Sequence, residues 1–207
     1  MHDTRLRGLY AVTDGRLTGQ PLFDAVRAAL AGGVQLVQYR DKSGETPRRQ
    51  DEAARLVELC HAQGALLLIN DDTELALAVG ADGVHLGQTD TPLASARARL
   101  GPQRIIGVSC NNRLEWARAA QQAGADYVAF GRFFPSSTKP DAPQAGLALL
   151  EQARQQLDLP IAAIGGITPD NAPQLHAAGA DMLAVVNALF GQDDIETAAR
   201  QLSRCFD

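Results

Sequence analysis

Short apolar runs recur along the chain, and most are entered through a glycine turn and left through polar residues. The junctions rhyme: AGGVQLVQYR from Ala31, QGALLLIN from Gln63, VGADGVHLG from Val79, QAGADYVAFGR from Gln122 and AAGADMLAVV from Ala177. In each, a glycine can take the left-handed conformation that ends a helix, and the next apolar run begins almost at once. Adding GLYAVT from Gly8, RIIGVS from Arg104 and PIAAIGG from Pro160 gives eight candidate strands, each followed by a helical segment. Their apolar character is continuous rather than alternating, as expected of parallel strands covered on both faces. Eight such units in 207 residues predict an α/β chain folded as one (β/α)8 TIM barrel over residues 1–207, with no room for a second domain. An open doubly wound sheet would call for GxGxxG after the first strand, and TDGRLTGQ does not match it.

This architecture sorts the acids. Asp82, Asp126 and Asp181 fall in GAD turns before strands, at the end of a barrel that serves stability, and read as structural. Asp71, Asp72 and Asp90 follow strands three and four, on the face where such barrels carry their chemistry. Carboxylates placed together resist burial, so a cation is expected beside them.

Composition narrows the partners. A net charge of −5 and a pI near 5.3 argue against a broadly basic nucleic-acid surface, though a local basic pocket remains compatible with them. The opening MHDTRLRGLYAV is too charged for a secretory signal, and no segment approaches membrane-spanning length, so a cytoplasmic protein without membrane partners is expected. Cys60, Cys110 and Cys205 lack any CxxC pairing and read as reduced thiols.

Alternation along strand two points Gln38, Arg40 and Lys42 the same way, which sets two cations beside the acids. The loop after strand six, GRFFPSSTKPDAP, adds Lys139 and the hydroxyls of Ser136, Ser137 and Thr138. After strand seven comes AIGGIT with Gly165 and Gly166, and after strand eight VVNALF, where Asn187 could open a short helix. Backbone amides in these last two loops are the usual phosphate cradle of the fold. Adjacent strands lie about 4.8 Å apart, so Asp71 and Asp90 can converge on one Mg²⁺, with phosphate oxygens and water filling its other positions. A pyrophosphate ester is the natural ligand of such a mixture.

The signatures QYRDK, LLINDD, GADGVHLGQTD, IIGVSC, YVAFGRFFPSSTKP and AIGGIT stand in one order over nearly the full length, from LYAVTD at Leu9 through AVVNALF at Ala184. In these the chain resembles the thiamine phosphate synthase family. The resemblance implies a Mg-dependent transferase that joins 4-amino-2-methyl-5-hydroxymethylpyrimidine diphosphate to a thiazole phosphate, or its carboxylated precursor. Thiamine phosphate would form by a dissociative route through a pyrimidine-methyl cation, and pyrophosphate would leave. It further implies that Asp71 and Asp90 hold Mg²⁺, that Arg40, Lys42, Asn70 and Lys139 hold the pyrophosphate, and that Gln38 meets the pyrimidine edge. Ser109 would sit at the reacting centre with Arg40 and Lys139. The thiazole phosphate would lie against Ser136, Thr138, Gly166 and the backbone of Val186 and Asn187. Asn187 stands where many relatives have Ser, which puts a hydroxyl contact in doubt and leaves a backbone N–H contact possible.

Simpler readings compete. Asp72 suits an N-cap for TELALAV, a role Asp71 could share, and Asp90 could cap a helix near Pro92. Arg40 and Lys42 could pair with Asp41 or Glu45. His85, inside strand four, is given no role; Cys110 has no base placed beside it by sequence; one of Phe133 and Phe134 is expected to pack. His2, His61 and His176 read as surface residues. Two rival functions are a thiazole tautomerase, which needs no diphosphate site, and a non-catalytic thiamine phosphate sensor, which needs no metal. The expected partners are small-molecule substrates alone; the oligomeric state is left open.

Overall fold

The computed structural model describes residues 4–135 and 143–206. Strands and helices alternate: β1 Gly8–Val12, α1 Gly19–Ala31, β2 Val34–Tyr39, α2 Thr46–Ala62, β3 Leu66–Asn70, α3 Thr73–Val79, β4 Gly83–Leu86 and α4 Leu93–Leu100. The second half continues with β5 Ile105–Asn111, α5 Leu114–Gln122, β6 Tyr127–Gly131, α6 Leu147–Gln156, β7 Ile161–Ile164, α7 Ala172–Ala177, β8 Met182–Val185, α8 Asn187–Phe190 and α9 Ile195–Ser203. The eight strands pair in chain order, all parallel, and β8 returns to β1 to close the barrel. The expected (β/α)8 architecture is the observed one. No helix among the described residues is long and apolar enough to cross a membrane.

Two apolar layers explain the continuous strand runs. Outward strand residues such as Val37, Leu67, Ile69, Val84, Ile106 and Val128 pack under the helices. Inward residues, including Leu36, Leu66, Leu68, Ile105, Ala162 and Met182, fill the barrel interior. Successive side chains alternate between the two, so neither face tolerates a polar residue without a partner. One interior slot is left open on the strand itself: a Cβ on Gly107 would lie 2.0 Å from the Tyr127 ring.

At the lower end, where helices return to strands, the GAD acids act as clasps. The carboxylate of Asp82 accepts the Leu67 N–H at 2.8 Å, that of Asp126 the Ile106 N–H at 2.7 Å, and that of Asp181 the Ile161 N–H at 2.8 Å. A cationic or imidazole partner completes each: His61 on Asp82, Arg97 on Asp126 and Arg154 on Asp181. The structural reading of these acids therefore holds. His61 is accordingly an Asp82 partner, and His176 bonds the Ala180 carbonyl at 2.9 Å while sitting edge-on to Phe206. His2 lies outside the described residues.

Candidate active site

At the upper mouth, β1 fixes the tip of β2. The Thr13 hydroxyl accepts the Arg40 N–H at 2.8 Å, and the Thr13 N–H donates to the Gln38 carbonyl at 2.9 Å. With the backbone held, alternation does the sorting: Gln38 turns inward and is buried, and Arg40 and Lys42 line the cavity. Asp41 turns the other way, to an ion pair with Arg48 at 2.8 Å. Arg48 also reaches buried Glu52, which takes the Tyr39 hydroxyl at 2.7 Å and the Gly19 N–H at 2.6 Å. Asp41 is thus supplied with its own cation, and the proposed surface pairing of Arg40 or Lys42 with Asp41 or Glu45 is replaced by Asp41–Arg48.

The acids after β3 and β4 separate in the same way. Asp72 caps α3, accepting the Leu75 N–H at 2.9 Å, and pairs with Arg49 at 3.0 Å. Asp71 turns into the cavity with a left-handed φ of 64°, a conformation that is uncommon for a non-glycine residue and recurs at functional sites. Its carboxyl takes the Asn70 amide at 2.6 Å, lies 3.2 Å from the Lys42 ammonium and shares a hydrogen bond with Asp90. Asp90 does not cap α4, whose N-cap is Pro92; its carboxylate turns back to the Gly87 N–H at 2.7 Å.

Burial and the facing Asp90 push the Asp71 carboxyl above the usual range, with Lys42 pulling the other way. Burial also opposes ionisation of Asp90, but the hydrogen bonds from Asp71 and Gly87 and the charge of Lys42 outweigh it and hold that group low. Two facing carboxyls, one biased toward its protonated form and the other toward its ionised form, make a donor pair that a divalent cation suits, because it would remove the repulsion between them. No group of three or more His, Cys, Asp or Glu suited to a metal occurs among the described residues. Hard oxygen donors in a pair, with space beside them, match a cation that keeps water and phosphate oxygens in its shell.

Across the mouth, Gly165 and Gly166 follow β7 with φ of 104° and 65°. A Cβ on Gly166 would come within 2.4 Å of the Pro135 carbonyl, and one on Gly165 within 2.3 Å of the Arg132 Cβ. The pair is therefore needed for close seating of the loop that leaves β6, which hydrogen-bonds Ile164 and Gly165 through the Phe133 and Phe134 N–H groups. Phe133 is buried in the outer core, so it is a packing phenylalanine. Val186, Asn187 and Gly166 line the cavity, and Asn187 does open the short helix α8. Its Oδ1 accepts from Arg16 at 3.3 Å. Ser136, Ser137, Thr138 and Lys139 lie outside the described residues.

The cavity enclosed by these elements measures about 650 Å³, ample for small organic ligands. It brings together Gln38, Arg40, Lys42, Asn70, Asp71, Asp90, Ser109, Gly166, Val186 and Asn187, which are the predicted site residues that the structure describes. Sequence reading passed over Tyr10, Gln88, Asn111 and Arg132 in the same wall. Tyr10 sits at a strand position the register would have turned inward; Gln88, Asn111 and Arg132, which follows the end of β6, carry no comparable signal. His85 is buried, with its ring nitrogens 2.7 Å from the Tyr127 hydroxyl and 2.8 Å from Ser109 Oγ. Cys110 faces away from the mouth into the outer core, where burial pushes its thiol up to about 12, so it is no thiolate nucleophile.

Residues 9–189 match the family model described as thiamine monophosphate synthase. A protein of Alcanivorax borkumensis named thiamine-phosphate synthase is 57% identical over 206 residues, 98% of this chain and 95% of its own length. One of Thioalkalivibrio sulfidiphilus with the same name is 54% identical over 98% of this chain and 97% of its own. Among solved structures, a thiamine phosphate pyrophosphorylase from Pyrococcus furiosus superposes with a TM-score of 0.90 at 36% identity, covering 98% of this chain and 97% of the other.

Proposed function

The chain belongs to the thiamine monophosphate synthase family, a family of transferases, and from that premise we propose how its cavity makes thiamine phosphate. A hydroxymethylpyrimidine diphosphate loses pyrophosphate by heterolysis of its methylene C–O bond, the electron pair leaving with the diphosphate. The lone pair of the thiazole nitrogen then forms the new C–N bond, and the positive charge ends on the thiazolium ring.

The observation that carries this reading is the placement of Asp71 and Asp90 on the wall of one cavity, with Lys42 3.2 Å from Asp71 and Arg40 lining the same space. Asp71 and Asp90 are the residues that would hold Mg²⁺, which when bound supplies positive charge against the diphosphate oxygens. Arg40 and Lys42 add fixed cations, and Asn70 and Ser109 add neutral donors. Charge on the departing diphosphate grows as the bond breaks, so these groups hold the transition state more tightly than the ground state. Lys139 joins them, and Ser136 and Thr138 join the thiazole phosphate cradle with Gly166, Val186 and Asn187, on the sequence match alone. Gln38 is assigned to the pyrimidine edge.

A coupled assay tests the reading: pyrophosphate release is expected only with both substrates and Mg²⁺, and the organic product should be thiamine phosphate by mass spectrometry. Full turnover in chelator would remove the role given to Asp71 and Asp90. Isomerisation of a thiazole phosphate without pyrophosphate release would instead point to a tautomerase.

A further inference from the structure

Along the cavity floor runs a polar thread whose middle links, Tyr10, Tyr127 and His85, the chemistry above does not use. The Gln38 amide Nε2 donates to the Tyr10 hydroxyl; the Tyr10 and Tyr127 hydroxyls lie 2.9 Å apart; the Tyr127 hydroxyl lies 2.7 Å from His85 Nδ1; and His85 Nε2 lies 2.8 Å from Ser109 Oγ. Five residues from five strands thus join two places on the cavity wall, Gln38 and Ser109, through the barrel interior. Tyr127 is the link that does not reach the cavity: it is fully buried, its ring fills the slot left by Gly107, and it stacks on His85 with centroids 5.6 Å apart.

Counting protons gives the thread a direction. An amide nitrogen can only donate, so the Tyr10 oxygen accepts from Gln38 and its own proton goes on to Tyr127. The Tyr127 oxygen is then an acceptor from Tyr10, and its proton has His85 Nδ1 as the available acceptor. His85 is left with its proton on Nε2, which donates to Ser109 Oγ. The Ser109 proton is freed toward the cavity. With the Gln38 amide in this orientation, any other placement strands a buried hydroxyl proton or sets two donors against each other, at the cost of an unmade hydrogen bond. Run backwards, with the Gln38 amide turned over, the same thread would aim Ser109 lone pairs at the ligand.

We propose that Tyr127 is a positioning residue whose hydroxyl completes this head-to-tail chain, holds His85 as the neutral Nε2–H tautomer and so presents Ser109 to the ligand as a donor. The chain simultaneously leaves the Gln38 carbonyl oxygen as the group facing the cavity, so a donor edge on the heteroaromatic ring and an anion at Ser109 favour the same polarity. This deepens the reading of the site as one that expels a diphosphate and rests on it, because only an anion at Ser109 rewards a donor there.

The test has two arms. Nitrogen-15 NMR of the ring-labelled full-length protein without substrates, with the His85 signals assigned by their loss in His85→Gln, should show His85 protonated at Nε2 and bare at Nδ1. A proton on Nδ1, alone or in addition, overturns the proposal. In the coupled assay Tyr127→Phe should lower kcat by about tenfold and leave KM for the pyrimidine diphosphate within about twofold, since a donor realised in the transition state is disordered while ground-state contacts remain. An unchanged kcat in a variant that is folded by circular dichroism also overturns it. If Tyr127→Phe does not fold, the wild-type tautomer decides alone. A wild-type protein that does not turn over would defeat the reading of the site and still leave the tautomer measurable.

Discussion

The two ends of this barrel handle their acids in opposite ways. At the lower end, Asp82, Asp126 and Asp181 each receive a backbone N–H and a cation or imidazole, and each is satisfied by the fold itself. At the upper end, Asp71 and Asp90 face one another; the Asn70 amide and the Gly87 N–H bond them, but the one ion pair seen for them among the described residues is with the exposed Lys42. The first arrangement stabilises the chain. The second sets two carboxyls against one another on a cavity wall, where a cation from solution can join them, which is the pattern of a site.

Substitutions that exchange these roles should show it most strongly. Asp71→Asn is expected to cut turnover by roughly 10²–10³-fold, the scale for losing one preorganised charged group, while the metal-free protein melts no lower than wild type. Asp126→Asn should do the reverse: steady-state activity of the folded protein stays near wild type, but the acceptor shared by the Ile106 N–H and Arg97 loses its charge, at about 1–3 kcal/mol. Urea titration and initial rates on both variants check the pair, and an Asp126→Asn enzyme as dead as Asp71→Asn would erase the contrast.

Metal addition comes next in size. Mg²⁺ at about 100 times its dissociation constant should stabilise wild type by about 2.7 kcal/mol, read as a rise in Tm, and Asp71→Asn should show no such rise. Removal of the α3 cap by Asp72→Ala is smaller, about 1 kcal/mol, and should leave kcat untouched, although Asp72 adjoins Asp71 in sequence.

The pH dependence is the subtlest. Asp71 has a raised folded-state pKa, so the folded metal-free chain keeps a proton that the unfolded chain gives up sooner. That contribution is fully present below the ordinary carboxylate range and is lost as pH rises through the raised value. Asp90 has a lowered one, and its contribution is present above the ordinary range and lost as pH falls through the lowered value. The two windows do not overlap. Metal-free melting temperatures should therefore decline on the upper side of the ordinary carboxylate range in wild type and flatten there in Asp71→Asn.

Much of this division was legible in the sequence because it follows position along the strand. GAD turns announce the lower acids, and the polar residues that end QYRDK and LLIND announce the upper ones. Asp72 as a cap was readable for the same local reason. What could not be read depends on closure. Tyr10, His85 and Tyr127 sit in apolar runs separated by up to 117 residues, and only the register of β1, β4, β5 and β6 around a closed ring brings their polar atoms together. Gly107 looks like any strand glycine until the phenol that occupies its side-chain slot is known. The Arg16 contact to Asn187 likewise joins the first loop to the last and leaves no local trace.

The lower clasps also have a spacing. Each ties the entry of an even strand to the odd strand before it, β3 with β4, β5 with β6 and β7 with β8, while β1 and β2 show no such carboxylate among the described residues and instead lie by the seam where Gly32 abuts the backbone of α9. The molecule is thereby built in couples rather than in eighths. Two fragments divided between couples at the start of α4, ahead of Arg97 so that each clasp keeps its partner, should find one another and reconstitute the enzyme more readily than two divided inside a couple, because only the latter cut asks a clasp to reform between separate chains.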